Sequence, residues 1–245
     1  MLIYSLKFLT IGVFLLLGTG FYAIYFLFRG RSFDNGYSFS LYLNRIARLI
    51  GLNPIYLGKR PGNQPCIYIL NHQSLIDMLV FSLIWPDKGC PVMKSSLKYY
   101  GFFGLMAHLC KAVFLDRKNS RNSIEMMNNA GKIVKREECS ILLFPEGTRS
   151  DGYKILPFKK GAFHIALTTQ YPIQPVVAET FLPFLDHKNF TFKKYSPKVH
   201  FLPLIETKGK TVDDIGELIK AAHDSMSKVF DDSVNEWIEA SKKLS

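Results

Sequence analysis

The feature that most constrains this chain is an uninterrupted apolar run near its start. Residues 8–28 contain 21 amino acids and no charge, with Lys7 before the run and Arg29 and Arg31 behind it. As an α-helix, such a run measures roughly 31 Å, about the thickness of the hydrocarbon layer of a bilayer. We therefore predict an N-terminal membrane helix within an anchoring segment of residues 1–54. Because the run contains several glycines, both a full span and insertion into one leaflet stay open.

The residues around this run predict its orientation. A cleaved secretory signal is the alternative, but the run is too long for one and no small-residue cleavage site follows before Arg29. Basic residues behind the run predict that the rest of the chain lies on the cytoplasmic face of the cell or inner membrane. Residues 40–50 show helical periodicity and predict a second helix, which either lies on the membrane or packs against the core.

Composition limits the classes of protein and partner. Apolar residues make up 48% of the chain, so it can bury a core and is not a disordered protein. The formal net charge of +11 leaves two classes of partner, which are nucleic acids, or anionic membranes and phosphorylated molecules. The four cysteines lie beside apolar runs without a C-x-x-C pair, so we expect reduced, buried thiols and no metal site.

From residue 55 onward, strand and helix signals alternate. The predicted strands are 66–70, 91–94, 112–116, 141–144, 173–178 and 199–205, and the predicted helices are 74–85, 95–108, 120–136, 160–169 and the tail from 211. Thr211 and Asp214 form a capping-box pattern before that tail. No repeat or linker divides residues 55–245. We therefore predict one α/β domain with a central, mainly parallel or mixed sheet flanked by helices.

A first candidate motif, NHQSLID, occupies residues 71–77 directly after a predicted strand. Ser74 and Asp77 form an S-x-x-D pair that predicts a helix start, which leaves His72 in the turn before the helix. Since helical side chains lean toward the N-terminus of their helix, the Asp77 carboxylate can point back to the imidazole. Such a carboxylate orients the ring and stabilises its protonated form, so His72 is a candidate general base. The alternative is a histidine that only caps the helix.

A second candidate motif, FPEGTRS, occupies residues 144–150, again after a predicted strand. Pro145 and Gly147 are placed for the second and fourth positions of a type I turn. This turn would present backbone N–H groups beside Arg149, whose planar guanidinium matches phosphate. An ordinary turn with a solvated arginine is the alternative. Because ligands of open α/β sheets bind at the carboxyl ends of strands, the two motifs together predict a base next to an anion site.

The two motifs resemble those of the glycerolipid acyltransferases, most closely the 1-acylglycerol-3-phosphate acyltransferases. Two further blocks are similar to that family: AVFLDR at 112–117 and YPIQPVV at 171–177. The last block has Gln174 where the family has an apolar residue, so no role is carried over to Gln174. The resemblance covers roughly residues 55–205. It implies the fold of the glycerol-3-phosphate acyltransferases.

The resemblance also implies a reaction and residue roles. An acyl group would pass directly from acyl-CoA or acyl-carrier protein to the sn-2 hydroxyl of lysophosphatidic acid, giving phosphatidic acid, with no metal or other cofactor. His72 would take the hydroxyl proton and Asp77 would orient His72. The residues expected around the substrate phosphate are Arg149, Gly147, Glu146 and Arg117, with Glu146 orienting Arg149 or the glycerol. Lys94 and Thr148 are candidate supports for the acyl chain or the phosphate.

Several alternatives stay open at this point. Ser74 could be an acylated nucleophile, although the G-x-S-x-G elbow is absent. The acceptor could be another lysophospholipid or glycerol 3-phosphate. A non-enzymatic protein that binds anionic lipid or nucleic acid is the distant alternative. Residues 187–198 alternate aromatics with lysines, but this pattern is also typical of a half-buried strand, and we expect no nucleic-acid partner. The aromatic segment 94–106 either contacts acyl chains or packs in the core.

Overall fold

The chain builds one seven-stranded sheet with helices on both faces. The computed structural model describes residues 2–115, 123–186 and 191–243. The strands are β1 Ile55–Leu57, β2 Ile67–Leu70, β3 Gly89–Lys94, β4 Val113–Leu115, β5 Ser140–Leu143, β6 Ile173–Ala178, β7 Leu185–Asp186, β8 Thr191–Phe192 and β9 Lys198–Phe201. The α-helices are α1 Leu2–Arg29, α2 Phe33–Leu49, α3 Asp77–Val80, α4 Gly101–Leu109, α5 Ser123–Glu137, α6 Gly161–Thr169 and α7 Ile215–Lys242. Short 3₁₀ helices cover Phe81–Ile84, Ser95–Tyr99 and Val212–Asp214.

The sheet is mixed and has the order β1-β9-β6-β2-β5-β3-β4. The pairing of β6 with β9 is antiparallel, and the other pairs in this sheet are parallel. Strands β2, β5 and β6 are buried along their whole length, as expected for central parallel strands covered on both faces. The predicted α/β class with a mainly parallel or mixed sheet is confirmed. β7 and β8 form a separate antiparallel pair. β8 lies within residues 187–198, for which a strand was one of the two interpretations, whereas β7 was not predicted.

The two faces of the sheet have separate apolar cores. Alternate residues of β2 point to opposite faces, as the pleat requires. Tyr68 and Leu70 pack with α1 and α2, whereas Ile67 and Ile69 pack with α5, α6 and α7. The N-terminal helices therefore share a core with the sheet, so residues on both sides of the predicted boundary at 54 and 55 pack together.

Helix α1 has one side buried in the protein and a wide apolar side exposed. Ala23 and Phe26 are fully buried, while ten large apolar side chains of the helix are exposed. These exposed side chains are Leu9, Val13, Phe14, Leu16, Leu17, Phe21, Ile24, Tyr25, Leu27 and Phe28. The part Phe8–Arg29 is long and apolar enough to cross a membrane by length and composition. A soluble protein rarely leaves such a patch bare, so this side of α1 is suited to lipid.

Helix α2 folds back along α1 and is not a free surface helix. It begins at Phe33, seven residues before the predicted start, and buries one face that includes Phe39, Leu43 and Ile46. The Tyr42 hydroxyl donates to the carbonyl of Phe14 at 2.6 Å. The second of the two interpretations, a helix packed against the core, therefore describes this face of α2.

The predicted boundaries change where a local conformation interrupts a helix or strand. The helix expected over 95–108 is divided before Gly101, whose φ of +48° interrupts the regular backbone. The helix expected over 74–85 begins only at Asp77 and becomes 3₁₀ at Phe81. The capping box of Thr211 and Asp214 is confirmed, and α7 follows it. Asp116 and the first residues of the 187–198 segment lie outside the described residues.

Candidate active site

The two sequence motifs meet at one edge of the sheet. Strands β2 and β5 are parallel neighbours with Ile69 opposite Leu143, so their carboxyl ends lie side by side. His72 follows the end of β2, and the turn that begins at Phe144 follows the end of β5. The imidazole of His72 stacks on the Phe144 ring, with ring centroids 4.1 Å apart. The predicted juxtaposition of base and turn is therefore present in the structure.

His72 and Asp77 form a direct pair. The distance from His72 Nδ1 to Asp77 Oδ2 is 2.5 Å. Because the carboxylate accepts the proton on Nδ1, the neutral imidazole keeps its lone pair on Nε2. The His72 side chain is 23% exposed while that of Asp77 is 1% exposed. The arrangement therefore offers Nε2 to a substrate and keeps the orienting carboxylate out of water.

Asp77 also accepts hydrogen bonds from the backbone. The same oxygen, Oδ2, accepts the backbone N–H groups of Gln73 at 2.9 Å and Ser74 at 3.1 Å. Burial raises the pKa of the Asp77 carboxyl, and the hydrogen bonds from His72, Ser74 and Gln73 act against that rise. These bonds favour the charged form, which is the form that stabilises a protonated imidazole.

Ser74 does not cap the helix as predicted. Its hydroxyl accepts the N–H of Ile76 at 3.0 Å, which closes a local turn, and the helix begins after that turn. Only one half of the expected capping pattern forms, in which the Asp77 carboxylate accepts the Ser74 N–H. Serine hydroxyls compete with helices in this way when they bond to a nearby backbone N–H. The extra turn brings Asp77 back toward His72.

The FPEGTRS segment forms the predicted turn. The N–H of Gly147 donates to the carbonyl of Phe144 at 3.1 Å, which is the bond between the first and fourth residues. Gly147 has φ +71°, and a Cβ built on it would lie 2.8 Å from Lys159 Nζ. The positive φ therefore favours glycine at this position, and the flexible side chain of Lys159 lies across the turn. The same crossing places an ammonium group beside the turn that carries Arg149.

Glu146 holds the backbone of His72 in place. Its two carboxylate oxygens accept the N–H of His72 at 2.7 Å and the N–H of Leu156 at 2.8 Å. Burial raises the pKa of Glu146, against the effect of these two hydrogen bonds. The resemblance predicts that Glu146 orients Arg149 or the acceptor's glycerol, whereas its hydrogen bonds in the structure go to the backbone. Sequence spacing gives no sign of this contact, because it joins residues 74 positions apart.

The cationic candidates lie around the same edge. Arg149 and Thr148 are exposed on the turn, and within the described residues the Arg149 guanidinium has no hydrogen-bond or ion-pair partner. Lys94 is exposed at the carboxyl end of β3, the strand next to β5. Arg117 lies outside the described residues, beyond β4, which ends at Leu115.

Two residues that fix the turn around His72 were not predicted from the sequence. Asn71 is 1% exposed, and its amide both donates to and accepts from the backbone of Ala178 at 2.9 Å. Gln73 is 7% exposed and bonds to the backbone at the same place. The only signal in the sequence was their position in a polar stretch that directly follows a buried strand.

Comparison with known proteins identifies the class to which this fold and site belong. A family model described as acyltransferase matches residues 53–179, and the chain belongs to the acyltransferase family. Among curated proteins, the chain is 34% identical to 1-acyl-sn-glycerol-3-phosphate acyltransferase alpha of Homo sapiens, covering 82% of this chain and 72% of the relative. It is 37% identical to 1-acyl-sn-glycerol-3-phosphate acyltransferase of Saccharomyces cerevisiae, over 73% of this chain and 60% of the relative.

A solved structure has the same fold. The crystal structure of PlsC, the 1-acyl-sn-glycerophosphate (LPA) acyltransferase of Thermotoga maritima, matches with a TM-score of 0.67 and 20% identity. The match covers 93% of this chain and 95% of that one. The α/β fold expected from the resemblance is confirmed. Together with the exposed apolar side of α1, family membership indicates association with a membrane.

Proposed function

We propose that this protein transfers a fatty acyl group from acyl-CoA or acyl-carrier protein to the sn-2 hydroxyl of lysophosphatidic acid. The product is phosphatidic acid, a precursor of phospholipids. The observation that carries this proposal is the 2.5 Å pair of His72 and Asp77 beside the turn of Arg149. The 1-acyl-sn-glycerol-3-phosphate acyltransferases among its relatives support the choice of substrates.

The chemistry follows from the free nitrogen of His72. Nε2 accepts the proton of the sn-2 hydroxyl as its oxygen attacks the thioester carbonyl. The Asp77 carboxylate stabilises the resulting imidazolium. When the tetrahedral intermediate collapses, the carbon–sulfur bond breaks and the imidazolium returns the proton to the leaving thiolate. One ester forms, one thioester is consumed and one free thiol is released, with no covalent acyl-enzyme.

The positive edge of the site supplies acceptor binding. The Arg149 guanidinium can hold the phosphate by charge-assisted hydrogen bonds, with Gly147 shaping the turn and Thr148 beside it. Lys94 and Arg117 are assigned to the same cationic edge because Lys94 is the last residue of β3 and Arg117 follows β4 in the sequence. In this assignment Glu146 acts on His72 and not on the phosphate, because its carboxylate accepts the His72 N–H.

The surroundings of the base suit a lipid acceptor at a membrane. Leu75 and Met78, next to the catalytic pair, are exposed, as is the apolar side of α1. We assign the protein to the cytoplasmic face of the cell or inner membrane, because Arg29 and Arg31 follow the apolar run. The acyl donor then comes from the cytoplasm and the acceptor from the leaflet.

The decisive experiment measures thiol release by the purified full chain in lipid–detergent micelles. With lysophosphatidate and acyl-CoA, we expect continuous release of free thiol and formation of phosphatidate. His72→Ala and Asp77→Asn should each lower kcat at least about a hundredfold, since they remove the base or its orienting partner. Near-normal turnover in both variants would contradict the base assignment.

A panel of acceptors tests the substrate in the same assay. Lysophosphatidate should be preferred to lysophospholipids with a head group and to glycerol 3-phosphate. A higher kcat/KM for one of the others would overturn the proposed acceptor and leave the acyl-transfer chemistry in place. Running the panel with acyl-CoA and with acyl-carrier protein identifies the carrier.

A further inference from the structure

Gln73 follows the base directly, yet its side chain points into the protein. Its Nε2 donates to the carbonyls of Ala178 at 3.2 Å and Glu179 at 3.0 Å. Its Oε1 accepts the N–H of Phe181 at 3.0 Å. All three partners lie at the carboxyl end of β6, the neighbour of β2 on the side away from β5. Both N–H groups of this amide and one lone pair of its oxygen thus bond to the end of β6 and the residues that follow it.

The turn around His72 is held from two sides. From the β6 side, Asn71 bonds to both backbone groups of Ala178, next to the bonds of Gln73. From the β5 side, Glu146 accepts the His72 N–H, and the N–H of Ser150 donates to the His72 carbonyl at 2.7 Å. Among the side chains of residues 71–73, the amides of Asn71 and Gln73 are taken up by backbone partners, so the imidazole of His72 is the one left for a substrate.

Gln73 is also linked to the carboxylate partner of the base. Its backbone N–H donates at 2.9 Å to Asp77 Oδ2, the same oxygen that holds His72 Nδ1. A displacement of Gln73 would therefore move the base and the orienting carboxylate together. Errors of about 1 Å in the position of a catalytic group can cost about a hundredfold in rate.

We propose that Gln73 is a positioning residue, whose amide fixes the distance and angle of the His72–Asp77 pair against the end of β6. This inference rests on the proposed function of that pair as the general base. It differs from a role in substrate binding, because the Gln73 side chain faces β6 and is buried. It predicts a defect in kcat with little change in the KM for lysophosphatidate.

A purely stabilising role for a buried amide is the competing explanation, and the chain offers a matched control. Gln174 is 1% exposed, and its Nε2 also donates to two backbone carbonyls, those of Pro175 at 2.8 Å and Leu202 at 2.7 Å. It is the second residue of β6 and lies opposite Tyr68. Tyr68 is four residues before His72, which is roughly 13 Å along a strand. Gln174→Met therefore removes similar bonds at a distance from the site.

The test compares Gln73→Met with Gln174→Met in the full chain. Both variants should unfold at lower temperature than the wild type. Only Gln73→Met should lower kcat for thiol release, by roughly 10- to 100-fold, with the KM for lysophosphatidate changed less than about twofold. Equal kcat in the two variants, or a loss that appears only in KM, would overturn the proposal.

A second pair of measurements covers the case in which Gln73→Met does not fold. Gln73→Asn keeps an amide but shortens its reach, and we expect a smaller loss in kcat of the same kind. In an Asp77→Asn background, where the pair is already broken, this loss should shrink to less than about twofold, because residues that act as a unit are not additive. If Gln73→Asn lowers kcat by the same factor in the Asp77→Asn background as in the wild type, the inference is rejected. Wild-type turnover in the same assay reports separately on the proposed function.

Discussion

At the scale of single residues, the site combines a tightly fixed histidine with an exposed, adjustable arginine. The imidazole of His72 is oriented through its ring by Asp77, while its backbone is fixed by Glu146 and Ser150. The imidazole ring also stacks on the ring of Phe144. The ring of His72 cannot turn without breaking the partly buried hydrogen bond to Asp77, which is costly to leave unmade. The guanidinium of Arg149, by contrast, is exposed and can adjust to a ligand.

Arg149→Ala should chiefly weaken the binding of the phosphorylated acceptor. A charge-assisted hydrogen bond contributes roughly 1.5–3 kcal/mol, so we expect the KM for lysophosphatidate to rise about 10- to 100-fold while kcat changes less. Steady-state thiol release at varied acceptor concentration measures this. Lys208→Ala is the control, because it removes an exposed positive charge in the loop beyond Ile205, which pairs with the start of β6. An Arg149→Ala variant with an unchanged KM would remove the phosphate role.

Sequence spacing was sufficient to predict that His72 and Asp77 meet, but not to predict the residues that support them. His72 and Asp77 are five residues apart, and the local signals for a turn and a helix start were enough to bring them together. The contacts of Asn71, Gln73 and Glu146 depend on which strands become neighbours. One sequence does not reveal strand order, so these polar residues could not be assigned partners. Ser74 was mispredicted because its hydroxyl bonds two residues ahead and delays the helix.

At the scale of secondary-structure elements, close contact of α1 with α2 fixes the N-terminal segment to the rest of the protein. The position of Gly18 on α1 leaves space for the ring of Tyr42 on α2, whose hydroxyl bonds to α1. The turn between the two helices and the start of α2 are both tied to the end of α4. Arg31 in the turn donates to the carbonyl of His108 at 3.1 Å, and Asn35 of α2 donates to that of Leu109 at 3.0 Å. Periodicity predicted that both helices exist. It could not predict that they pack on each other, because that depends on the small residue opposite a large one.

Gly18→Ala should destabilise the protein although alanine is the better helix former. A Cβ on residue 18 would clash with the Tyr42 ring, whereas a Cβ on Gly12 would meet nothing within 4 Å. Overpacking of this kind costs roughly 1–3 kcal/mol, while Gly12→Ala should gain up to about 1 kcal/mol from helix propensity. Thermal unfolding in detergent should therefore move in opposite directions for the two variants. Equal shifts would show that α1 and α2 are not in contact there.

At the scale of the whole molecule, the N-terminal helices share an apolar core with the part of the sheet that carries His72. Apolar side chains of α1 and α2 form one core with Tyr68 and Leu70 of β2, the strand that leads to His72. The anchor is thus joined to the site through packed side chains and not through a linker. Its attachment to lipid should depend on apolar contact more than on the net charge of +11.

Membrane fractions washed with about 1 M salt should retain the protein, because such salt screens charges beyond about 3 Å but leaves apolar burial in place. Leu16→Glu combined with Leu17→Glu should weaken retention, since both side chains are exposed on α1, at 73% and 65%. Ile133→Glu on α5 is the control, as Ile133 is also exposed but lies on a helix of the other face. Release of the wild type by salt alone would favour purely electrostatic attachment.

The bare apolar side of α1 has a consequence for kinetics. An enzyme held at a leaflet, with an acceptor and a product that both reside in that leaflet, encounters its acceptor by lateral diffusion. Its rate then follows the mole fraction of lysophosphatidate among the lipids and not its molarity in the whole sample. Adding inert phospholipid would slow turnover even while the total amount of acceptor stays constant.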